Sequence, residues 1–237
     1  MSGSPEAFLH RFLAGFLESQ LVSGLINTEH YYNNLNLLGK STWLASISQQ
    51  LFASSPKPVF VRGHGRVRLV FLREPDGRTF PFIQGLTKNK PREGRTKLTC
   101  FVGHRFVAGI EQALRFNLVH LFEPHQITLR WSGFDLSAKE IFEGIVAQIR
   151  NADLCLFDNL GTLNRPNVYI EIGIAHALGK PMLVCEYVGT GRKKIPDTGS
   201  VPSDLQGLLR ITYQSYEDLS RKLYFGLPLF LERHRLL

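Results

Sequence analysis

Apolar residues at helical spacing dominate the first fifty positions. Phe8, Phe12 and Phe16 recur every four residues, which predicts an amphipathic helix. Helical sequence continues to about residue 52, and Pro56 and Pro58 then stop helix formation. The chain therefore begins with a helical region that needs an apolar partner surface.

Two strand-like runs follow, at positions 66–72 and 78–83. In the first, Arg66 and Arg68 alternate with apolar neighbours, which is typical of a strand with one solvated face. The segment Pro75-Asp76-Gly77 between the runs is a hairpin turn signal. Residues 1–95 thus form a smaller α+β region, in which we find no catalytic motif.

From residue 96 onward, short buried runs alternate with helical patterns. The predicted strands are 98–103, 127–131, 154–157 and 181–187, and the predicted helices are 107–121, 136–149, 167–178 and 216–224. This alternation is typical of βαβ units around a parallel sheet. Residues 96–237 are therefore predicted to form an α/β domain.

Several polar and aromatic residues are predicted at one edge of this sheet. Ligands of open α/β sheets bind at the carboxyl ends of the strands. Residues expected there are Gly103, His104, Arg105, Phe106, Trp131, Asp135, Asp158 and Asn167. Structural explanations stay open for some: Trp131 as a core residue, and Asp135 and Asn167 as helix N-caps.

Glu171 carries the main chemical hypothesis. If Asn167 caps the helix, Glu171 falls in or just after its first turn, where the helix dipole stabilises a carboxylate by about 0.3–1 kcal/mol. Gly173, inside the same helix, predicts that a strand or a ligand needs room there. A carboxylate at the ligand edge suits nucleophilic attack at an anomeric carbon. The alternative is a surface carboxylate near a helix start.

Residues 151–186 (NADLCLFDNLGTLNRPNVYIEIGIAHALGKPMLVCE) carry a recognisable pattern. An Asp at a strand end precedes Asn-Pro-Asn-Val-like sequence, a Glu-x-Gly-x-Ala helix, and Gly-Lys-Pro before another strand. This resembles the nucleoside 2-deoxyribosyltransferase-like family, which is related to TIR-like NAD-cleaving domains and nucleoside-monophosphate N-glycosidases. The resemblance covers residues 98–225, with weaker matches at 101–104 and 202–205. It implies a flavodoxin- or Rossmann-like parallel sheet flanked by helices.

The resemblance also implies roles for individual residues. Glu171 forms a covalent glycosyl intermediate or stabilises an oxocarbenium-like ribose. Asp158 hydrogen-bonds a ribose hydroxyl or the leaving base, or else caps its loop. The residues expected to bind the substrate are Gly103, His104, Arg105, Phe106, Trp131, Asp135 and Asn167.

Two departures from the family bear on the reaction. The transferases have an aromatic-rich segment after the first strand, which this sequence lacks. They also have an Asp shortly before the nucleophilic Glu, whereas here the nearest acid upstream of Glu171 is Asp158. Both disfavour base exchange between deoxynucleosides and favour nucleotide hydrolysis or NAD cleavage. TIR-like relatives occur in bacterial antiviral systems and often carry an extra sensing or assembly domain. Residues 1–95 are therefore predicted to be such a domain. A non-catalytic nucleotide sensor and an interaction module stay open as alternatives.

The composition limits the classes of binding partner and the cellular location that we expect for this protein. The net charge is +8, but basic residues are scattered apart from a cluster at 88–97, which does not favour nucleic acid. The three cysteines lie in apolar runs without zinc-ligand spacing, so we expect reduced thiols, no metal and a cytoplasmic protein. No apolar run is long enough for a membrane span, and we see no secretory signal.

The expected ligand is NAD or another nucleotide, as substrate or signal, with no separate cofactor. Related domains often complete their sites across a dimer, so we also expect a homo-oligomer. The apolar, basic tail 227–237 either packs on a neighbour or covers the chain's own N-terminal helix.

Overall fold

The computed structural model describes residues 5–22, 27–39, 42–55, 57–61, 65–86, 97–132, 141–159, 166–189 and 210–236. Its N-terminal region contains three helices followed by a small antiparallel sheet, ordered β1-β2-β3. These elements are α1 (Pro5–Val22), α2 (Thr28–Gly39), α3 (Thr42–Ser54), β1 (Val59–Val61), β2 (Gly65–Arg73) and β3 (Thr79–Leu86). The expected hairpin is present, and Gly77 adopts the positive φ of 87° that its turn requires.

The rest of the chain alternates strands and helices, as the sequence pattern predicts. Its elements are β4 (Leu98–Gly103), α4 (Ala108–Phe122), a 3₁₀ turn (Glu123–His125), β5 (Ile127–Trp131), α5 (Ile141–Asn151), β6 (Leu154–Asn159), α6 (Pro166–Ala177), β7 (Met182–Tyr187), β8 (Arg210–Tyr213) and α7 (Tyr216–Arg233). The structure differs from the sequence prediction at three elements. The strands β1 and β8 were not predicted, and α7 extends nine residues beyond its predicted end at Tyr224.

The five strands β5-β4-β6-β7-β8 form one sheet, and every neighbouring pair is parallel. Numbered within the sheet, this is the order 2-1-3-4-5 of flavodoxin-like folds, which confirms the predicted fold class. The chain leaves β4 toward β5 and later returns to β6 on the other side of β4. The topological switch point therefore lies between the carboxyl ends of β4 and β6, where a ligand crevice is expected.

Alternating residues of the central strands serve two cores. Cys100 and Val102 of β4 belong to a core shared with α4, α7 and the N-terminal region. Phe101 of β4 and Phe157 of β6 belong to a second core built with α5 and α6. Because side chains alternate along a strand, the face to which each strand-end residue points can be assigned.

The N-terminal region packs directly on the first of these faces. Phe12 of α1 contacts the rings of Tyr224 and Phe225 on α7, with centroids 5.3 and 5.4 Å away. Asn117 of α4 exchanges two hydrogen bonds, of 2.9 and 2.7 Å, with the backbone of Arg73. The two regions thus share one hydrophobic core, and the division into domains at residue 95 stays a prediction.

The C-terminal residues lie in the same core. Leu227, Phe230 and Leu231 are at most 5% exposed. Their spacing keeps α7 helical through Pro228, although an internal proline removes a hydrogen bond. This supports intramolecular packing of the tail. Among the described residues, no helix is long and apolar enough to cross a membrane.

Candidate active site

Glu171 lies in the second turn of α6 with its side chain turned toward the sheet. The helix begins at Pro166, a residue suited to the first helical position, so Asn167 lies inside the first turn and does not cap it. The expected helix-dipole stabilisation of Glu171 is reduced for the same reason, since that effect fades after the first turn. The neighbouring Val168, Ile172 and Ala175 are buried in the second core, which fixes the helix face that carries Glu171.

The carboxyl group of Glu171 stands against the end of β4. A Cβ atom added at Gly103 would overlap Glu171 Oε2 and lie 2.6 Å from Cδ1 of Phe157. Only glycine leaves space for the carboxyl group at this strand end. Gly173, by contrast, faces open space, with no atom within 4 Å of an added Cβ. No strand of the described residues therefore occupies the space beside Gly173, and room for a ligand there stays a prediction; the close contact lies at Gly103.

Burial controls the ionisation of Glu171. The residue is 5% exposed, and Oε2 has no hydrogen-bond partner within the described part of the chain. Loss of solvation raises the pKa of this carboxyl to about 7. At neutral pH the group is thus divided between its carboxylate and its acid form, which corrects the expectation of a fully ionised carboxylate.

Glu171 borders a cleft of about 380 Å³. The other described residues that line it are Phe106, Ile141, Phe142, Ile145, Asn167, Ile170 and Ile174. Four of these apolar side chains, Phe106, Ile141, Phe142 and Ile170, are about half exposed. Such a volume with mostly apolar walls and few polar groups suits a small, flat organic ligand.

His104 is buried on the opposite face of the sheet from Glu171. Its Nδ1 donates to the carbonyl oxygen of Arg105 at 2.9 Å, and Nε2 has no partner among the described residues. Burial lowers the pKa of His104, so the ring is neutral at pH 7 and Nε2 is an acceptor. Phe106 and Trp131 flank the ring, with centroids 5.1 and 5.6 Å away, and Phe106 joins this cluster to the cleft.

Asp158, at the end of β6, is fully buried on the α7 side. Its two carboxyl oxygens accept hydrogen bonds from the hydroxyls of Tyr213, at 2.5 Å, and Tyr216, at 2.8 Å. Burial raises the pKa of Asp158 to about 6, and the two tyrosine hydrogen bonds and the charge of Arg105 oppose that rise. Both oxygens are therefore engaged within the fold.

The structure brings some of the expected site residues together and separates others. Phe106 and Asn167 line the cleft beside Glu171, and Gly103 contacts Glu171. His104, Asp158 and Trp131 are directed toward the other face and do not line the cleft. Asp135 lies outside the described residues, as do the loops 160–165 and 190–209.

Sequence reasoning missed several residues around the site. Tyr213 and Tyr216 gave no signal, because they reach Asp158 only through the position of β8 and α7. Phe142 and Ile170 read as ordinary helix residues, and their exposure in one cleft depends on how α5 packs against α6. No cluster of three or more metal-binding side chains occurs in the ranges the structure describes.

Solved structures that are similar to this chain include the following two. The CMP N-glycosidase BcmB of Clostridium botulinum has 20% sequence identity and a TM-score of 0.36, covering 53% of this chain and 97% of that one. A conserved protein from Enterococcus faecalis V583 has 16% identity and a TM-score of 0.40, covering 54% and 98%. No protein-family model and no curated protein matches the chain. Membership of the deoxyribosyltransferase-like or TIR-like families therefore stays a prediction.

Proposed function

We propose that this protein cleaves or transfers the N-glycosidic bond of a nucleoside or nucleotide, with Glu171 at the anomeric carbon. The observation that carries the proposal is the placement of one buried, unpartnered carboxyl oxygen beside Gly103 at the switch point of the sheet. A carboxyl group in such a crevice can approach a ligand bound at the carboxyl ends of the strands. Among the described residues lining the cleft, Glu171 is the one ionisable group.

The apolar walls suit the base of such a substrate. Phe106 and Phe142 offer ring faces, and Asn167 offers both a donor and an acceptor to a heterocycle. With the base between these walls, the sugar lies toward Glu171. The cleft volume of about 380 Å³ falls within the range of small-ligand sites.

The reaction requires Glu171 in its ionised form. One carboxylate oxygen attacks C1′ or stabilises the positive charge that develops there. As the bond between C1′ and the base nitrogen breaks, its electron pair leaves with the base. Nicotinamide from NAD leaves as a neutral molecule, whereas the base of a nucleoside or nucleoside monophosphate also takes a proton from solvent. Water, or a second nucleoside base in a transferase, then displaces Glu171 from C1′ and regenerates the carboxylate. Burial strengthens the attraction between the carboxylate and the cationic sugar.

The finer assignments stay proposals. NAD, nucleosides and nucleoside monophosphates are all candidate substrates, and the departures from the deoxyribosyltransferase pattern favour hydrolysis over base exchange. Gly103, Phe106 and Asn167 are proposed at the substrate edge beside Glu171, together with Arg105. Asp158, whose two carboxyl oxygens are held by tyrosine hydroxyls, is not proposed to contact the substrate, and neither are His104 and Trp131 on the same face of the sheet. A role in antiviral defence, with residues 1–95 as a sensing or assembly region and with a homo-oligomeric state, also rests on that resemblance.

A second function, a non-catalytic nucleotide sensor that uses the same cleft, has one observation in its favour. With its pKa near 7, Glu171 is half protonated at neutral pH and so is a weaker nucleophile. No second acid or base lines the cleft among the described residues, so nothing described there protonates the leaving base. A sensor needs only binding, for which a neutral carboxyl is a good hydrogen-bond donor.

Release of free base distinguishes the two functions. Wild type, Glu171→Gln and a surface control, Glu143→Gln, are incubated with NAD, nucleosides and nucleoside monophosphates, and free base is measured by chromatography. The enzyme hypothesis expects release by wild type and the control, with a loss of at least about 10²-fold in Glu171→Gln. Equal release by all three proteins would refute the role of Glu171. No release, together with nucleotide-dependent thermal stabilisation, would favour the sensor.

A further inference from the structure

Ser132 directly follows β5 and is held against β4 by one backbone hydrogen bond. Its N–H donates to the carbonyl oxygen of Val102 at 2.9 Å. This bond completes the pair of Val102 with Trp131, which is the last pair of the ladder, and the Val102 carbonyl adjoins Gly103. Ser132 therefore lies beside Gly103, at the same strand end as the Glu171 carboxyl group.

Side-chain alternation, continued one residue past the end of β5, assigns Ser132 to the same face of the sheet as Glu171. Paired residues of a parallel ladder direct their side chains to one face, and that face alternates along the strand. Val102 and Trp131 both pack against the core on the α4 and α7 side. Gly103 and Ser132 thus face the α6 side, where Glu171 Oε2 stands against Gly103.

Ser132 and Glu171 each present a buried polar atom that lacks a partner. Ser132 is 0% exposed, and neither its Oγ nor Glu171 Oε2 has a hydrogen-bond partner within the described part of the chain. A buried polar group without a partner is destabilising. Adjacent strands lie about 4.8 Å apart and Gly103 places no side chain between them, so one ligand group can contact both atoms.

We infer that Ser132 Oγ binds a hydroxyl of the substrate sugar next to the anomeric carbon, and that it selects ribose over 2′-deoxyribose. This inference rests on the proposed function, since Glu171 defines where C1′ lies. The 2′-hydroxyl is attached to the carbon adjacent to C1′, and it can donate to one of the two protein oxygens while accepting from the other. A 2′-deoxy substrate leaves Ser132 buried without a partner, and such sites discriminate against the analogue that lacks the group.

The expected effect follows from one hydrogen bond. A neutral hydrogen bond of about 0.5–1.5 kcal/mol corresponds to a preference of roughly 2- to 12-fold for the ribo form. Ser132→Ala removes that preference because it weakens the binding of the ribo substrate and leaves the binding of the 2′-deoxy substrate unchanged. The ligand-free variant retains wild-type stability or gains some, because the substitution removes a buried hydroxyl that has no partner.

The experiment compares Ser132→Ala with Ser220→Ala, which changes a serine of α7 that is 1% exposed and lies on the opposite side of the sheet. Values of kcat/KM are measured for matched pairs, such as adenosine with 2′-deoxyadenosine and cytidine with 2′-deoxycytidine. Binding of the same pairs is measured calorimetrically in the Glu171→Gln background, with and without Ser132→Ala. Urea unfolding of each variant establishes that it is folded.

The two measurements separate this inference from the proposed function. A ribo preference in binding that Ser132→Ala abolishes supports the role of Ser132 even when no base is released. Base release with an unchanged ribo-to-deoxy ratio overturns the role of Ser132 and leaves the proposed function intact. Equal losses for both sugars, or no binding of any pair, also overturn the inference.

Discussion

Replacing Glu171 by glutamine should change how the stability of the protein depends on pH. Burial raises the pKa of this carboxyl from an ordinary value of 4.5 to about 7. Because the folded chain holds the proton more tightly than the unfolded chain, ionisation of Glu171 opposes folding. Wild type therefore loses stability as the pH rises from about 4.5 to 7, and it carries the full penalty above pH 7.

The pKa shift sets the size of the effect. Each unit corresponds to about 1.4 kcal/mol, so the penalty reaches at most about 3 kcal/mol. Between pH 5 and pH 8, the free energy of unfolding of Glu171→Gln should rise relative to that of wild type by roughly 2–3 kcal/mol. For a chain of this size, that equals a relative change in Tm of roughly 5–10 °C.

Urea unfolding of both proteins at a series of pH values measures this difference directly. The buried amide of the glutamine variant does not titrate, so it changes the free energy of unfolding by the same amount at every pH. This constant change cancels when the pH dependence of the two proteins is compared. Glu143→Gln, at an exposed position of α5, is the matched control for removal of one negative charge. Parallel pH profiles for wild type and Glu171→Gln would refute the conclusion that burial raises the pKa of Glu171.

Substitutions at three other positions have simpler expected effects on stability. Gly103→Ala should destabilise the protein by about 1–3 kcal/mol, because the new Cβ overlaps Glu171 Oε2 and the Phe157 ring, whereas Gly173→Ala should stabilise it by up to about 1 kcal/mol, because that helical position is open. Urea unfolding measures both, and equal effects at the two glycines would contradict the close contact at Gly103. Glu74 accepts hydrogen bonds of 2.9 and 3.0 Å from the first two backbone N–H groups of α7, so Glu74→Ala should cost about 1 kcal/mol. Hydrogen exchange should quicken in the first turn of α7, and unchanged exchange there would contradict the cap.

The strands that the sequence predicted best are those buried on both faces. The run 98–103 appears as β4, and the run 154–157 lies within β6, because continuous apolar residues leave few other ways to bury them. β8 was missed since its run of four residues, Arg210–Tyr213, is at the lower limit of the length at which alternation indicates a strand. Pairing with β7 makes this segment a strand, and that is a property of the sheet.

The sequence likewise identified some residues of the candidate site and missed others. The pattern around Glu171 identified the helix and the residue, and it placed Gly103 and Phe106 at the same sheet edge. It did not reveal that Asp158 is held by two tyrosine hydroxyls on the other face, or that Ser132 lies beside Gly103. These contacts join residues far apart in the chain, and no local pattern encodes them.

The sequence by itself determined the alternation of strands and helices from β4 to β7, the sheet edge at which a ligand is expected, and the glutamate predicted there. It could do so because hydrophobic periodicity and chain connectivity are local properties. Only the tertiary structure decided the protonation of Glu171 and the face on which each strand-end side chain lies. Both depend on burial by distant segments, since removal of water raises the pKa and the packing of α6 against β4 sets which groups meet.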